Sequence, residues 1–239
     1  MAGAAVDGEA IELVAADGNR LSAYRARGQG DSPARMLVLP DIRGLFPFYE
    51  ELALRFAEAG IGALAIDYFG RTAGVGARDA GFDHRAHVDQ TTWSGLSADI
   101  RAGVAELRVP DPAARVFVVG FCFGGRLAFD AATLGLGLAG VIGFYGVPTG
   151  PRLDIPAPAE VAGSMGCPVL GLFGGADRGI PATMVAAFER ALTTAGVPHD
   201  LVTYRGAPHS FFDRKAADFA DASEDAWRRV LAFVDAERA

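Results

Sequence analysis

VVGFCFGGR, residues 118–126, is the stretch on which the reading of this chain turns. Residues 116–121, VFVVGF, form a continuous apolar run, as expected for a strand covered on both faces. GGRLAFDAATLG then starts a helix with almost no turn between. The junction has the form Gly-x-Cys-x-Gly-Gly, the nucleophile-elbow pattern with cysteine in place of serine. A turn this sharp leaves no room for side chains at Gly120 and Gly124, and Gly125 lets the helix pack close to its neighbour. The turn lifts the Cys122 thiol above the sheet edge and sets it at a helix N-terminus, where the dipole and free amides favour thiolate. The backbone N–H of Phe123 then points at a developing oxyanion. Taken alone, a free cysteine is more often a small buried apolar residue. Cys167, which opens an apolar strand run and has no elbow, keeps that reading.

Outward from the elbow, strands and helices alternate. Residues 11–15 and 20–25 flank AADGN, whose Asp17-Gly18 fits a tight turn. Residues 26–35 read as loop and 36–40 (MLVLP) as a short buried strand. Residues 48–59 have helical periodicity that stops at Gly60, and 61–67 is another buried strand. Residues 68–95 show no clear period, and a stretch that long inside a compact domain is functional or hides a helix. A helix is expected over 97–107, with Ser97 as N-cap. Beyond the elbow come a strand at 141–146, a proline-rich loop, a strand within CPVLGLFG, a helix over 182–195 ending at Gly196, a strand over 199–205 and an amphipathic helix over 219–236. This alternation predicts one α/β domain over residues 1–239, with a mostly parallel sheet and helices on both faces.

Two further residues sit after strands in the second half. In LFGGADRGIP (172–181), Asp177 lies just past a strand end; in isolation it would read as a turn or cap residue. In YRGAPHSFF (204–212), His209 follows a strand across a short turn holding Gly206 and Pro208. Each signal is weak alone. Their chain order, Cys122, Asp177, His209, is that of nucleophile, acid and base in α/β-hydrolases.

Bulk composition narrows the field. The 239 residues are 51% hydrophobic and 21% charged, enough for a large core, with a net charge of −7 and no basic tract. That argues against a nucleic-acid backbone binder. No run approaches the ~20 apolar residues a membrane span needs, and the N-terminal residues lack a basic segment before an apolar one, so no membrane partner and no signal peptide are expected. The two cysteines have neither CxxC nor zinc-ligand spacing. No metal, no cofactor and a reducing, cytoplasmic setting are therefore expected. Nothing in the sequence assigns an oligomeric state.

Together PDIRGL (40–45), AIDYFGR (65–71), GFCFGGR (120–126), GFYG (143–146), GGADRGIP (174–181) and APHSFF (207–212) resemble the dienelactone hydrolase family, cysteine hydrolases of the α/β-hydrolase fold. The resemblance runs from about residue 36 to the C-terminus. It implies an acid after the second core strand that helps ionise the nucleophile, most often glutamate. The matching residue is Asp41, one methylene shorter, which either serves that role or holds a loop in place. The resemblance also implies a second oxyanion donor in the N–H of Ile42. The best-known family substrate is a lactone bearing a carboxylate, held by two arginines. Arg85 lies in the loop of one. The other stands four residues after the histidine, where this chain has Asp213, with Arg214 one later. Arg43 and Arg71 are further candidates, and Phe46, Phe48, Trp93, Phe144 and Tyr145 could line an apolar pocket.

The expectation is hydrolysis of a small-molecule ester or enol lactone through a Cys122-His209-Asp177 relay and a thioester. Alternatives are a general carboxylesterase, a non-catalytic ligand-binding homologue of the same fold, and a thiol redox protein, which lacks an obvious resolving cysteine.

Overall fold

A computed structural model describes residues 7–28 and 32–236. Eight strands form a sheet in the order β1-β2-β4-β3-β5-β6-β7-β8. The chain divides into two compact units, one ending at Phe117 and one beginning at Val118.

In the first unit, β1 (Asp7–Val14) and β2 (Arg20–Arg27) are antiparallel, in register from Asp7 opposite Arg27 to Val14 opposite Arg20. The turn between them has Gly18 at φ 84°, its amide donating to the Ala15 carbonyl at 2.9 Å. β4 (Gly62–Ile66) pairs antiparallel with β2 and parallel with β3 (Ala34–Leu39). β2 and β3 thus reach into both ends of the segment expected as loop over 26–35. Residues 29–31 of that segment lie outside the described residues.

Two amphipathic helices cover these strands. α1 (Pro47–Glu58) has proline in its first turn, where the missing N–H costs nothing. It buries Tyr49, Leu52, Ala53, Phe56 and Ala57 against β2, β3 and β4. α4 (Trp93–Arg108) packs on β1, β3 and β4. Gly103 makes that approach possible, since a Cβ there would lie 2.7 Å from the Leu37 side chain. α4 begins at Trp93 rather than at residue 97. Thr92 is its cap, its hydroxyl accepting from the Gly95 amide at 3.2 Å, while Ser97 sits inside and donates to the Ser94 carbonyl at 3.0 Å.

The aperiodic segment 68–95 holds two further short helices, α2 (Gly70–Ala73) and α3 (His84–Val88). It is organised around a buried ion pair, Arg78 to Asp67 at 2.9 Å. The Arg78 guanidinium lies over the Phe82 ring, which stacks on His87 at 5.1 Å. Long-range pairing rather than helical periodicity fixes this segment.

β5 (Arg115–Phe121) begins in the first unit and ends in the second. After α5 (Phe123–Ala131) come β6 (Gly140–Phe144), β7 (Val169–Gly174), α6 (Ala182–Ala195), β8 (His199–Tyr204) and α7 (Ala220–Ala236). β6, β7 and β8 are parallel, and β6 and β7 are buried along their whole length. A parallel sheet covered on both faces requires such unbroken apolar runs. α6 stops at Gly196 in the left-handed conformation, φ 70°. α7 turns Ala226, Val230 and Val234 inward, one per helical turn. The architecture is α/β with a mostly parallel sheet. No helix among the described residues is long and apolar enough to cross a membrane.

Candidate active site

The β5–α5 junction is built as tightly as its glycines require. A Cβ on Gly120 would lie 1.9 Å from the Gly124 carbonyl oxygen, and one on Gly125 would lie 2.5 Å from that of Phe144. The Cys122 amide donates to the Phe144 carbonyl at 3.0 Å, and the Cys122 carbonyl accepts from Arg126 at 3.2 Å, opening the first turn of α5. Cys122 itself has φ 55° and ψ −111°. For a residue with a Cβ this is a strained backbone, of the kind that clusters where a side chain must be aimed. Cys122 is partly exposed, while Phe123 is buried.

The two other candidate residues come from the ends of adjacent strands. Asp177 follows β7 and His209 follows β8. Their two loops are stitched together by backbone bonds from Gly175 to the Tyr204 carbonyl at 2.8 Å and from Ala176 to the Ala207 carbonyl at 2.9 Å. Gly174 permits the contact, because a Cβ there would lie 2.5 Å from the Ala207 oxygen. His209 Nδ1 then meets Asp177 Oδ2 at 2.6 Å, and the imidazole lies near enough to Cys122 for the two to act on each other electrostatically. Asp177 is buried and accepts from the Gly179 amide at 2.8 Å.

Electrostatics follow from this chain of contacts. Burial works against charge on both groups. At His209 it is outweighed by hydrogen bonds and charge from Asp177 and Cys122, so the imidazole pKa rises to about 10. At Asp177 burial is outweighed by the His209 imidazole and the Gly179 and Ile180 amides, which hold the carboxyl below its usual range. The favoured state is an imidazolium between a carboxylate and a sulfur. Tyr145, fully buried at φ 38°, sets its ring 4.9 Å from that of His209. Its backbone amide donates to the Leu172 carbonyl at 2.8 Å. Among the described residues no cluster of histidine, cysteine and carboxylates could hold a metal ion.

A family model described as "Dienelactone hydrolase family" matches residues 21–237. This chain belongs to the dienelactone hydrolase family. A Methylorubrum extorquens protein named "Putative carboxymethylenebutenolidase" is 30% identical over 217 residues, 88% of this chain and 75% of that one. An Escherichia coli O157:H7 protein of the same name is 30% identical over 234 residues, 91% and 83% of the two chains. A Klebsiella pneumoniae crystal structure described as a "Putative Dienelactone Hydrolase" superposes with a TM-score of 0.87 at 27% identity, covering 97% of this chain and 99% of that one.

The family pattern can be followed residue by residue. Asp41 is buried, and its carboxylate is occupied by Arg43. Oδ1 accepts from the Arg43 amide at 2.8 Å, and the guanidinium reaches Oδ2 at 2.7 Å while lying over Phe46. The loop carrying Ile42 is held from several sides. The Asp41 amide donates to the Tyr49 hydroxyl at 3.0 Å, and the Leu45 amide to Asp67 at 3.1 Å. Arg85 lies exposed on α3, and Trp93 opens α4 half-buried. Arg71 pairs with Asp99 and Asp17, each at 2.9 Å. Arg214, next to the Asp213 that departs from the family pattern, donates to the Ser210 hydroxyl at 2.9 Å.

Sequence reasoning passed over three residues beside Cys122 and His209. Gly174 was legible only as a strand end. Ser210 has φ 61° and is buried directly after His209. Arg126, the last residue of the elbow motif, is buried and donates to three backbone carbonyls, those of Gly150, Ile155 and Pro156. The arginine closing GFCFGGR was the available signal, since a charge in an otherwise apolar first turn needs partners.

Proposed function

We propose that this protein hydrolyses small esters or lactones through a thioester on Cys122, with His209 and Asp177 completing the relay. One observation carries the reading. A strained cysteine at the start of α5 acts electrostatically on an imidazole that is hydrogen-bonded to a buried carboxylate at 2.6 Å.

With the proton already on the His209 imidazolium, the Cys122 sulfur attacks the carbonyl carbon. The negative oxygen that forms is held by the Phe123 amide and, on the family resemblance, by that of Ile42. In hydrolases where one such donor has been removed the loss is about 2.7–4 kcal/mol. Collapse of the tetrahedral species breaks the bond to the leaving oxygen, which His209 protonates. The same imidazole then takes a proton from water, which attacks the thioester and frees the acid and the thiolate. A thiolate is itself a good leaving group and expels a poor alkoxide reluctantly. Enol lactones and activated aryl esters therefore suit Cys122 better than alkyl esters or amides.

The test is turnover of an enol lactone and an activated aryl ester by wild type, Cys122→Ala and His209→Ala. Both variants are expected to lose activity. Undiminished turnover by Cys122→Ala rules the mechanism out.

A further inference from the structure

One cavity of the fold has no part in the chemistry proposed for Cys122. Its volume is about 460 Å³, and it lies wholly within the first unit, at the end of β2 and the starts of β3 and β4. That volume is in the range of small-molecule sites. None of Cys122, Asp177 and His209 lines it.

The strand registers explain why a cavity forms there. Arg25 is paired with Leu64, and Arg35 with Gly62. Side chains alternate along a strand, so Arg25, Arg27, Gly62, Leu64 and Arg35 share one face. α4 covers that face, with Gly103 over Leu37 and Glu106 paired to Arg25. The helix then stops at Arg108, two residues before Pro110, which cannot continue it. Gly62 leaves a gap in the row that the helix no longer covers. A Cβ there would lie 3.2 Å from Arg35 Cδ, so the glycine gives that side chain its room.

The charges of this cavity lean positive. Arg25, Arg27 and Arg35 all line it. Arg25 is engaged by Glu106 and by Glu9 at 3.3 Å, and Arg27 by Glu9 at 2.7 Å. Two carboxylates thus meet three guanidiniums. The C-terminus of α4 adds about half a negative charge, too little to cancel the excess. Among the described residues Arg35 has no carboxylate partner. Its Nη1 donates to the Ala34 carbonyl at 2.9 Å and to the Ser32 carbonyl. These bonds fix the side chain and leave Nε and Nη2 without a hydrogen bond among the described residues. That edge of a guanidinium takes an anion through two parallel N–H bonds. Leu107, Val109 and Pro110 supply an apolar wall, and Val109 is 71% exposed.

We propose that this cavity binds a small organic anion with an apolar body, its charged group on the Nε and Nη2 edge of Arg35 and its body against Leu107 and Val109. Binding there does not require Cys122.

Two fluorescent probes with the same apolar body separate charge from shape. They are 8-anilinonaphthalene-1-sulfonate and N-phenyl-1-naphthylamine, which lacks the sulfonate. Both are titrated with wild type, Arg35→Gln, Arg35→Lys and Val109→Ser. Wild type should bind the sulfonate saturably. Arg35→Gln should weaken that binding about tenfold, as for one charge-assisted hydrogen bond lost, and leave the neutral probe unchanged. Arg35→Lys keeps the charge without the fork and should recover only part of the affinity. Val109→Ser, a surface change with little effect on stability, should weaken both probes. Equal affinity of wild type and Arg35→Gln for the sulfonate, or no saturable binding by wild type, overturns the site. Equal weakening of both probes by Arg35→Gln would trace the effect to lost packing and overturn the role of charge.

Discussion

Cys122 holds a backbone conformation, φ 55° and ψ −111°, that glycine adopts freely and cysteine does not. Strain of this kind is worth on the order of 1–3 kcal/mol. Cys122→Gly should therefore melt above Cys122→Ala, although both lack the thiol; equal melting temperatures would remove strain from the account. His209 makes a second prediction. Its pKa, raised to about 10, depends on Asp177 and Cys122 against the opposing effect of burial. A histidine held above its unfolded value of 6.5 stabilises the fold fully below pH 6.5 and loses that contribution as pH climbs toward 10. By NMR the ring should titrate near 10 in the wild type and at clearly lower pH in Asp177→Asn. The same variant should cost ~10⁴ in kcat, by analogy with the corresponding change in serine triads.

At the level of elements, two pieces of local construction decide whether the relay assembles. The first is the seam between the loops after β7 and β8. Gly174→Val would drive a side chain into the carbonyls of Ala207 and Pro208, 2.5 and 2.7 Å from the added Cβ. Overpacking of this sort costs roughly 1–3 kcal/mol. It should also lower kcat by displacing His209, a loss that melting alone would not report. The second is the buried pair within α5. Asp130 is fully buried 4.0 Å from Arg126, and desolvation raises its pKa to about 8 despite that guanidinium. The folded state thus binds a proton that the unfolded chain releases near pH 3.8, so this group's contribution is greatest below that pH and erodes as pH rises to about 8. Asp130→Asn removes the titration. Its melting temperature relative to wild type should climb between pH 5 and pH 8; a constant offset would contradict the assignment.

Across the whole molecule, what the sequence revealed was set by the range of the forces involved. Buried parallel strands read as apolar runs because both faces are covered, and α6 was legible to its last residue because Gly196 ends it in a left-handed turn. The elbow was legible because its glycines answer a steric demand within six residues. Three kinds of feature were not. The segment 68–95 is organised by Asp67 with Arg78 and by Phe82 with His87, pairings that no periodicity reports. The start of α4 depends on Thr92, ahead of a Trp-Ser-Gly sequence with little helical character. Gly174 and Arg126 act through loops brought together only in the folded chain. Asp41 had two readings in the sequence, and its carboxylate is engaged by Arg43 within its own loop. Family membership supplies the class of chemistry, and the contacts of Cys122, His209 and Asp177 supply its proposed course.

The central claim is covalent, so the most direct measurement is of mass. Wild type and His209→Ala are mixed with an activated aryl ester, quenched in acid within the first turnovers, and analysed intact and after digestion. The account predicts one acyl group on Cys122, trapped as a thioester and absent from Cys122→Ala. An acyl group on another residue, or steady hydrolysis by Cys122→Ala, would contradict it.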